Sequence, residues 1–393
     1  MDVPVFSLPS REYLLVFGTA AVVTYLITGL VRRVALKIGA ITPIRDRDVH
    51  SIPIPRMGGV AVYLGFAAAV LMAMKLPNLS RAFESSSEIT GVLVAGGVIV
   101  LVGVLDDRFD LDSVTKLAGQ VLAGGLLVLY GVQWLQIWVP GGPDGGSVLL
   151  FDNLQGLAIT VLLTLVLANA MNFIDGLDGL LTGVTVIAAT AVFVFSSYLL
   201  SVSRDDSSMS QAPLVAAALV GACVGFLPHN FHPARIFMGD SGSMFIGLAM
   251  AAATTMASGK ADLQNYGGNR STIALLSPII VVLAVVFIPL LDFLLAVIRR
   301  TKEGRHPFSA DKRHLHHRML AIGHTHRTAV LIFYLWAFVL SGGAVALVFV
   351  STWQLVIAPT VGALVVVAVF TLWPWIRARR LHRSQEAAAD VRE

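Results

Sequence analysis

The chain has one cysteine and few charged residues among its 393 amino acids. Cys223 has no partner for an intrachain disulfide, which excludes a disulfide-stapled scaffold. Charged side chains make up 13% of the residues and apolar ones 56%, whereas an ordinary soluble domain has roughly 25% charged residues. This balance excludes a soluble globular enzyme, a coiled coil and a disordered chain, because disorder requires low hydrophobicity and high net charge.

Long apolar runs dominate the sequence instead. A transmembrane helix needs about 20 mostly apolar residues. We therefore predict an all-α polytopic membrane protein, with one integral membrane domain over residues 1–375 and a basic tail over residues 376–393. The roughly eleven predicted spans are Glu12–Val31, Met57–Met74, Ile89–Leu105, Val114–Tyr130, Leu157–Ile174, Leu180–Leu200, Pro213–Leu227, Met244–Ala257, Ile273–Ile298, Ala329–Val350 and Leu355–Trp375.

The basic residues predict how the spans are oriented. Twenty-two of the 28 Lys and Arg residues fall on one side of the predicted membrane. The positive-inside rule then places the N-terminus outside and the C-terminus in the cytoplasm. The net charge of +4 thus serves topology and contact with anionic lipid. We predict no nucleic-acid partner, because no basic stretch carries interleaved aromatic residues.

The predicted outer segment Val132–Asn153 alternates apolar and polar residues around a PGGPDGG turn. This pattern predicts a short external β-hairpin. Trp134 and Trp138 are also suited to anchoring the chain at a membrane interface.

Polar residues collect at the predicted cytoplasmic ends of the spans, and the first cluster is DDRFD. If the third helix continues through it, Asp106 and Asp110 share one face, with Asp107 beside them. Neighbouring carboxylates repel unless they share a cation or a proton. The cluster therefore indicates a cation site, although a solvated helix end is the alternative.

The second cluster, NAMNFIDGLDGL, places Asn169, Asn172 and Asp175 along one stripe of an apolar helix. The two asparagines are also suited to hydrogen bonds between helices. Asp178, between two glycines, is a candidate ligand-binding residue, or simply the N-cap of the next span.

The third cluster, NFHPARIFMGDSGS, runs from Asn230 to Ser243 and contains Asp240. Asp240 precedes a span and is flanked by Gly and Ser, so helix capping is one interpretation. The same arrangement suits a phosphate bound with a metal ion. Mg²⁺ needs only one or two protein oxygens besides the substrate phosphates.

The fourth cluster lies between the ninth and tenth predicted spans. It offers several donors for phosphate oxygens from KRHLHHR, which contains His314, His316, His317 and Arg318. Zinc binding is a weaker alternative, because no cysteine is nearby. Arg56, in the loop HSIPIPRMGG, is either a contact to a lipid headgroup or an orientation signal.

In order and spacing, DDRFD, NAMNFIDGLDGL, HPARIFMGDSGS and HLHHR resemble the polyprenyl-phosphate N-acetylhexosamine-1-phosphate transferases. The similarity runs from about Arg45 to Arg327 and is greatest to the WecA/TagO-like branch, which uses UDP-N-acetylglucosamine (UDP-GlcNAc). It implies Mg²⁺-dependent transfer of a sugar 1-phosphate to a membrane polyprenyl phosphate, with release of UMP, at a bacterial inner membrane. Mn²⁺ is an alternative metal, and a homodimer is left open.

The resemblance also implies residue roles. Asp106 and Asp107 match the paired aspartates of the catalytic centre, and Asp240, with Asn172 nearby, matches the metal site. The remaining expected substrate-binding residues are Asn169, Asp175, Asp178, Asn230, His314, His316, His317, Arg318 and Arg56. The neighbouring branch that transfers phospho-MurNAc-pentapeptide is the alternative specificity. An ion-coupled transporter and a non-catalytic lipid-binding scaffold are alternatives of other classes.

Overall fold

The computed structural model describes residues 10–41, 54–140, 146–202, 207–259, 272–302, 304, 315–350 and 352–390. Helices account for most of this chain. The elements are α1 (Ser10–Ile38), α2 (Gly58–Ala73), α3 (Arg81–Ser85), α4 (Glu88–Phe109), α5 (Ser113–Leu129), β1 (Gln136–Pro140), β2 (Gly146–Leu150), α6 (Asn153–Ile174), α7 (Leu180–Val202), α8 (Gln211–Asn230), α9 (Gly239–Ser258), α10 (Thr272–Lys302), α11 (Leu315–Ala321), α12 (His326–Phe349) and α13 (Gln354–Asp390).

The all-α membrane class predicted from the sequence is confirmed. Each predicted apolar run coincides with one helix, and the short helices α3 and α11 are additional. Seven of the described helices are long and apolar enough to cross a membrane. The apolar helices α2 and α5, of 16 and 17 residues, are shorter. The number of crossings and their orientation remain predictions.

The predicted hairpin is also confirmed. β1 and β2 pair antiparallel, with Gln136 opposite Leu150 and Pro140 opposite Gly146. Trp134 and Trp138 are both buried. The Trp134 backbone N–H donates to Thr160 Oγ1 on α6 at 3.0 Å, so the hairpin is fastened to the helices.

Helix α9 lies at the centre of the bundle, where nearly all of its side chains are buried and it contacts α2, α4, α6, α7 and α8. Small residues permit this close packing, as is common between membrane helices. A Cβ added at Gly59 would lie 2.0 Å from the Gly242 nitrogen, and one at Gly103 would lie 2.3 Å from the Ser241 Cα. Both contacts are at the start of α9, so α2 and α4 pack directly against its backbone there.

The polar clusters meet at this same end of the bundle. Successive long helices run in alternating directions, so the end of α4 lies beside the starts of α5 and α9 and the end of α6. At the opposite end lie the hairpin and a contact in which the buried Glu12 accepts hydrogen bonds from Asn78 and Leu79.

We expect Gly247→Ala to destabilise the protein, because its Cβ would lie 2.4 Å from the Cα of Ala168 on α6. Overpacking of this kind typically costs about 1–3 kcal/mol. Thermal unfolding in detergent measures the effect. Gly125→Ala is the matched control, since no atom lies within 4 Å of its added Cβ. The control should leave stability unchanged or raise it by up to about 1 kcal/mol. Equal unfolding temperatures of the two variants would contradict the packing argument.

Candidate active site

Asp106 and Asp240 share one ammonium group. Lys116 Nζ, in the first turn of α5, lies 2.6 Å from Asp106 Oδ2 and 3.1 Å from Asp240 Oδ2. Asp106 is almost fully buried and also accepts a hydrogen bond from the Leu111 N–H at 2.8 Å. The Lys116 side chain is 32% exposed to solvent. One lysine thus joins α4, α5 and α9, with part of its side chain still accessible.

Asp107, the neighbouring acid, holds the start of α9. Its Oδ1 accepts from the Asp240 N–H at 2.9 Å, and its Oδ2 accepts from the Ser241 N–H at 3.3 Å and hydroxyl at 2.8 Å. These backbone donors have no partner within α9, and the helix dipole favours a negative charge at this end. The contacts suit Asp107 to positioning Asp240.

Helix α4 does not continue through the acidic cluster. It ends at Phe109, and Asp110 adopts a left-handed conformation with φ of 51°, its N–H donating to the Asp106 carbonyl. The expectation that Asp110 shares a helical face with Asp106 is therefore wrong. The cause is the tight turn into α5, where Asp112 caps the first turn by accepting from the Val114 and Thr115 N–H groups.

The two predicted asparagines of α6 face different partners. Asn172 Nδ2 donates to Asp240 Oδ1 at 2.8 Å and to Ser243 Oγ at 2.9 Å. Asn169 Nδ2 instead donates to Gln120 Oε1 on α5 at 2.7 Å. Asn172 is therefore in contact with Asp240, the predicted metal-binding acid. Asn169 makes a hydrogen bond between helices, which was the alternative interpretation of its sequence pattern.

Asp175, which follows α6, adds a fourth carboxyl group to the site. Burial, together with the nearby carboxylates of Asp240 and Asp107, raises the pKa of Asp175 to about 8, while Arg56 acts in the opposite direction. The acids of this region therefore outnumber the bases that face them. This excess of acidic groups suits a bound cation, which would favour the ionised form of Asp175.

The segment before α2 brings Arg56 to the site. Its neighbours are paired with the backbone ahead of α9, because the Gly58 N–H donates to the Phe237 carbonyl and the Phe237 N–H donates to the Pro55 carbonyl, both at 2.9 Å. Arg56 itself is half-buried. The backbone before α2 and the backbone before α9 lie so close together that there is little room for a side chain after Met57, which explains the glycine at position 58.

Asp178 and Asn230 fasten the loops beside the site. The buried Asp178 carboxylate accepts from His232 Nδ1 at 2.8 Å and from the Ala234 N–H at 3.0 Å. Asn230 Oδ1 accepts from the Gly179 N–H and the Thr182 hydroxyl, and its amide donates to the Ile236 carbonyl. The Asn230 side chain thus holds the protein's own loops, and its predicted role in the substrate pocket stays a prediction.

The predicted histidine loop is only partly covered by the structure. His314 lies outside the described residues, as do the side chains of His316 and His317, although both belong to α11. Arg318 is exposed. The roles predicted for these four residues stay predictions.

The donor set suits a hard divalent cation. Four carboxylates, from Asp106, Asp107, Asp175 and Asp240, face two basic side chains, Lys116 and Arg56. Asp107 is engaged by backbone and hydroxyl donors, whereas Asp106 and Asp240 share the partly accessible Lys116, and Asp240 also contacts the Asn172 amide. Mg²⁺ prefers such oxygen ligands and keeps several waters.

Two basic residues, one within the site and one near it, were counted in the sequence analysis only among the 22 that predict orientation. One is Lys116. The other is Arg300, which is almost fully buried near the end of α10 with its guanidinium 5.5 Å from the centre of the Phe173 ring. In the sequence, a single basic residue at a helix end looks the same whether it sets the membrane orientation or contacts a functional site. Their burial and contacts appear only when distant helices are packed together.

The fold and the site define a polytopic membrane protein with a carboxylate-rich centre at one end of its helices. Residues 89–258 match the model of glycosyl transferase family 4. The chain is 49% identical over 369 residues to the decaprenyl-phosphate N-acetylglucosaminephosphotransferase of Mycolicibacterium smegmatis, covering 94% of this chain and 90% of that protein. The chain therefore belongs to glycosyl transferase family 4 and is an enzyme.

Further relatives extend the comparison. The enzyme of the same name from Mycobacterium leprae is 47% identical, over 94% of this chain and 92% of that protein. The undecaprenyl-phosphate alpha-N-acetylglucosaminyl 1-phosphate transferase of Yersinia pestis is 28% identical, over 79% of this chain and 77% of that protein. The family resemblance noted in the sequence is thus confirmed.

We expect Asp107→Ala to destabilise the fold, because it removes three hydrogen bonds at the start of α9. Leaving buried donors unsatisfied costs about 1–3 kcal/mol. Asp112→Ala is the matched control, since it removes an exposed helix cap worth about 1 kcal/mol. Thermal unfolding compares the two variants. A wild-type unfolding temperature for Asp107→Ala would contradict the positioning role.

Proposed function

We propose that the enzyme transfers N-acetylglucosamine 1-phosphate from UDP-GlcNAc to a polyprenyl phosphate and releases UMP. The convergence of Asp106, Lys116 and Asp240 at one helix end carries the proposal. The activities for which the relatives are named support the same reaction. The greater identity to the relatives named for decaprenyl phosphate favours that acceptor over undecaprenyl phosphate.

We further propose that the site end of the bundle faces the cytoplasm of a bacterial inner membrane. The predicted loops at that end hold 22 of the 28 basic residues, which supports this orientation. UDP-sugars are water-soluble and highly charged, whereas a polyprenyl phosphate is confined to the bilayer. A site at the ends of the helices suits both substrates.

Mg²⁺ is the proposed metal, with Mn²⁺ as a substitute. Asp240 and Asp106 would supply carboxylate oxygens, and Asn172 would supply its amide oxygen. When bound, the ion would neutralise part of the diphosphate charge and stabilise the leaving oxygen.

The transfer reaction itself is a single displacement at phosphorus, in which side chains of the protein bind and orient the reacting phosphates. In the proposed reaction a lipid phosphate oxygen forms a bond to the β-phosphorus, and the bond from this phosphorus to the oxygen bridging it to the α-phosphorus breaks. That oxygen and its electron pair leave with UMP. A phosphate monoester has a second pKa near 6, so the acceptor is largely ionised at neutral pH and needs no strong base. Lys116 donates to the phosphate oxygens, and Asp106 orients this lysine.

The competing classes are less well supported. Coupling sites in secondary transporters usually lie near the bilayer midplane, whereas Asp106, Asn172 and Asp240 lie at helix ends. A different donor specificity within the same family, transfer of phospho-MurNAc-pentapeptide, is the main alternative to the proposed reaction. A comparison of UDP-GlcNAc, UDP-GalNAc and UDP-MurNAc-pentapeptide as donors would test it.

Asp240→Asn should abolish metal-dependent transfer, because it removes a carboxylate from the centre of the site. The assay uses the full-length chain in detergent, radiolabelled UDP-GlcNAc, decaprenyl phosphate and Mg²⁺, and it measures labelled lipid together with UMP.

Asp112→Asn is the matched control for this assay. It makes the same chemical change at a cap that asparagine also provides, so it should keep wild-type activity. Full activity of Asp240→Asn would refute the metal assignment. Absence of labelled lipid when the wild-type enzyme is given UDP-GlcNAc, decaprenyl phosphate and Mg²⁺ would refute the proposed reaction.

Lys116→Gln should lower kcat/KM by about 10²–10³-fold, the usual effect of removing one donor that stabilises developing charge. Lys116→Arg keeps the positive charge and should retain more activity. Steady-state kinetics with both substrates measure the difference. Equal kcat/KM values for Lys116→Gln and the wild type would exclude this lysine from the reaction.

A further inference from the structure

Two loops of the site meet at the first turn of α12. The backbone N–H of Asp178 donates to His326 Nε2 at 3.0 Å, across 148 residues of sequence. The carboxylate of the same aspartate binds His232 Nδ1 and the Ala234 N–H. Asp178 is 2% exposed, so both of its polar groups depend on protein partners.

The contact with Asp178 determines the protonation state of His326. A backbone N–H can only donate, so His326 Nε2 must present a lone pair. The imidazole is therefore neutral, with its proton on Nδ1. An imidazolium, or the other neutral tautomer, would place two N–H groups against each other and break the contact.

Helix α12 touches these loops at further points. The His326 ring stacks on the His232 ring, with centroids 4.3 Å apart and planes inclined by 20°. Arg327 donates to the His232 carbonyl at 3.3 Å, and the Tyr334 hydroxyl donates to the Gly179 carbonyl. The start of α12 thus contacts the Asp175–Gly179 loop and the loop that leads to Asp240.

We infer that His326 is a positioning residue of the transfer site. It holds the Asp175–Gly179 loop in place through the Asp178 amide and packs against the His232 loop. The inference rests on the proposed function and on the role that the family resemblance implies for Asp175 and Asp178, which is to bind the substrate; we take the substrate part bound by their loop to be the nucleotide. Its effect therefore falls on binding of the UDP-sugar and leaves the polyprenyl phosphate unaffected.

A metal ion held by Asp178, His232 and His326 is the competing interpretation. Ligand atoms of the three residues lie within 4.8 Å of one another. However, the His326 Nε2 lone pair already accepts from an amide, and His232 Nδ1 already contacts the carboxylate. A metal would have to break both contacts, so hydrogen bonding explains the cluster better.

The test compares His326→Ala with His326→Gln in the full-length enzyme. Alanine leaves the buried Asp178 amide without its acceptor, a loss that corresponds to about a tenfold rise in KM for UDP-GlcNAc. The KM for decaprenyl phosphate should stay unchanged. The Gln Oε1 can replace the lost acceptor, so His326→Gln should restore a KM close to that of the wild type.

Acidification gives a second readout, because glutamine cannot be protonated whereas His326 can. The ratio of kcat/KM for His326→Gln to that of the wild type should therefore rise as the pH falls. Among the described residues, the charged or titratable side chains around the contact between His326 and Asp178 include Asp178 itself, His232, Arg327 and Tyr334, and all of them are the same in both proteins. This comparison stays informative even if His326→Ala does not fold.

His324→Ala is the matched control, since His324 Nε2 contacts the Thr371 carbonyl on α13, away from these loops. It should leave the KM for UDP-GlcNAc unchanged. An unchanged KM in a folded His326→Ala variant, or a pH-independent ratio, would overturn the inference. Stoichiometric binding of Zn²⁺ that is lost in His326→Ala would also overturn it. Failure of the wild type to transfer from UDP-GlcNAc would instead refute the proposed function.

Discussion

The balance of charge among four carboxylates at one end of an apolar bundle is the constraint on which the site depends. A charge removed from water is costly unless partners compensate it. Asp107 is compensated by donors at the start of α9, whereas Asp106 and Asp240 share Lys116. Asp175 is less well compensated, as its raised pKa shows. A bound cation would compensate these carboxyl groups further, which is the physical basis of the proposed metal site.

This electrostatic arrangement requires close backbone packing. Gly239 has φ of +73°, and an added Cβ would lie 2.5 Å from Asp107 Oδ2. Gly59 and Gly103 likewise let α2 and α4 approach the first turn of α9. A larger side chain at any of these glycines would push Asp107 or Asp240 away from its partners. The glycines that allow the helices to pack closely therefore also keep Asp107 and Asp240 within hydrogen-bonding distance of their partners.

Hydropathy alone predicted the helices, because each apolar run must bury its backbone polar groups by forming a helix in the membrane. Alternating direction then placed the acidic clusters at one end. The division of roles was beyond the sequence, since Asp106 and Asp107 are adjacent and chemically identical. Their difference arises from partners on α5 and α9, more than 100 positions away in the case of Asp240. Sequence could not show either that the Asn230 side chain holds the protein's own loops, because Gly179 and Thr182 are about fifty positions away.

The location of the site at the helix ends follows from the same physics. Within a helix, backbone N–H and C=O groups bond to each other, so a membrane-spanning segment has few left for other contacts. The terminal turns and the loops keep theirs. Asp107 uses the free N–H groups of α9, and His326 uses the N–H of Asp178 in the loop before α7. Side chains from distant parts of the chain thus become fixed around one centre by the backbone groups that the spans cannot satisfy.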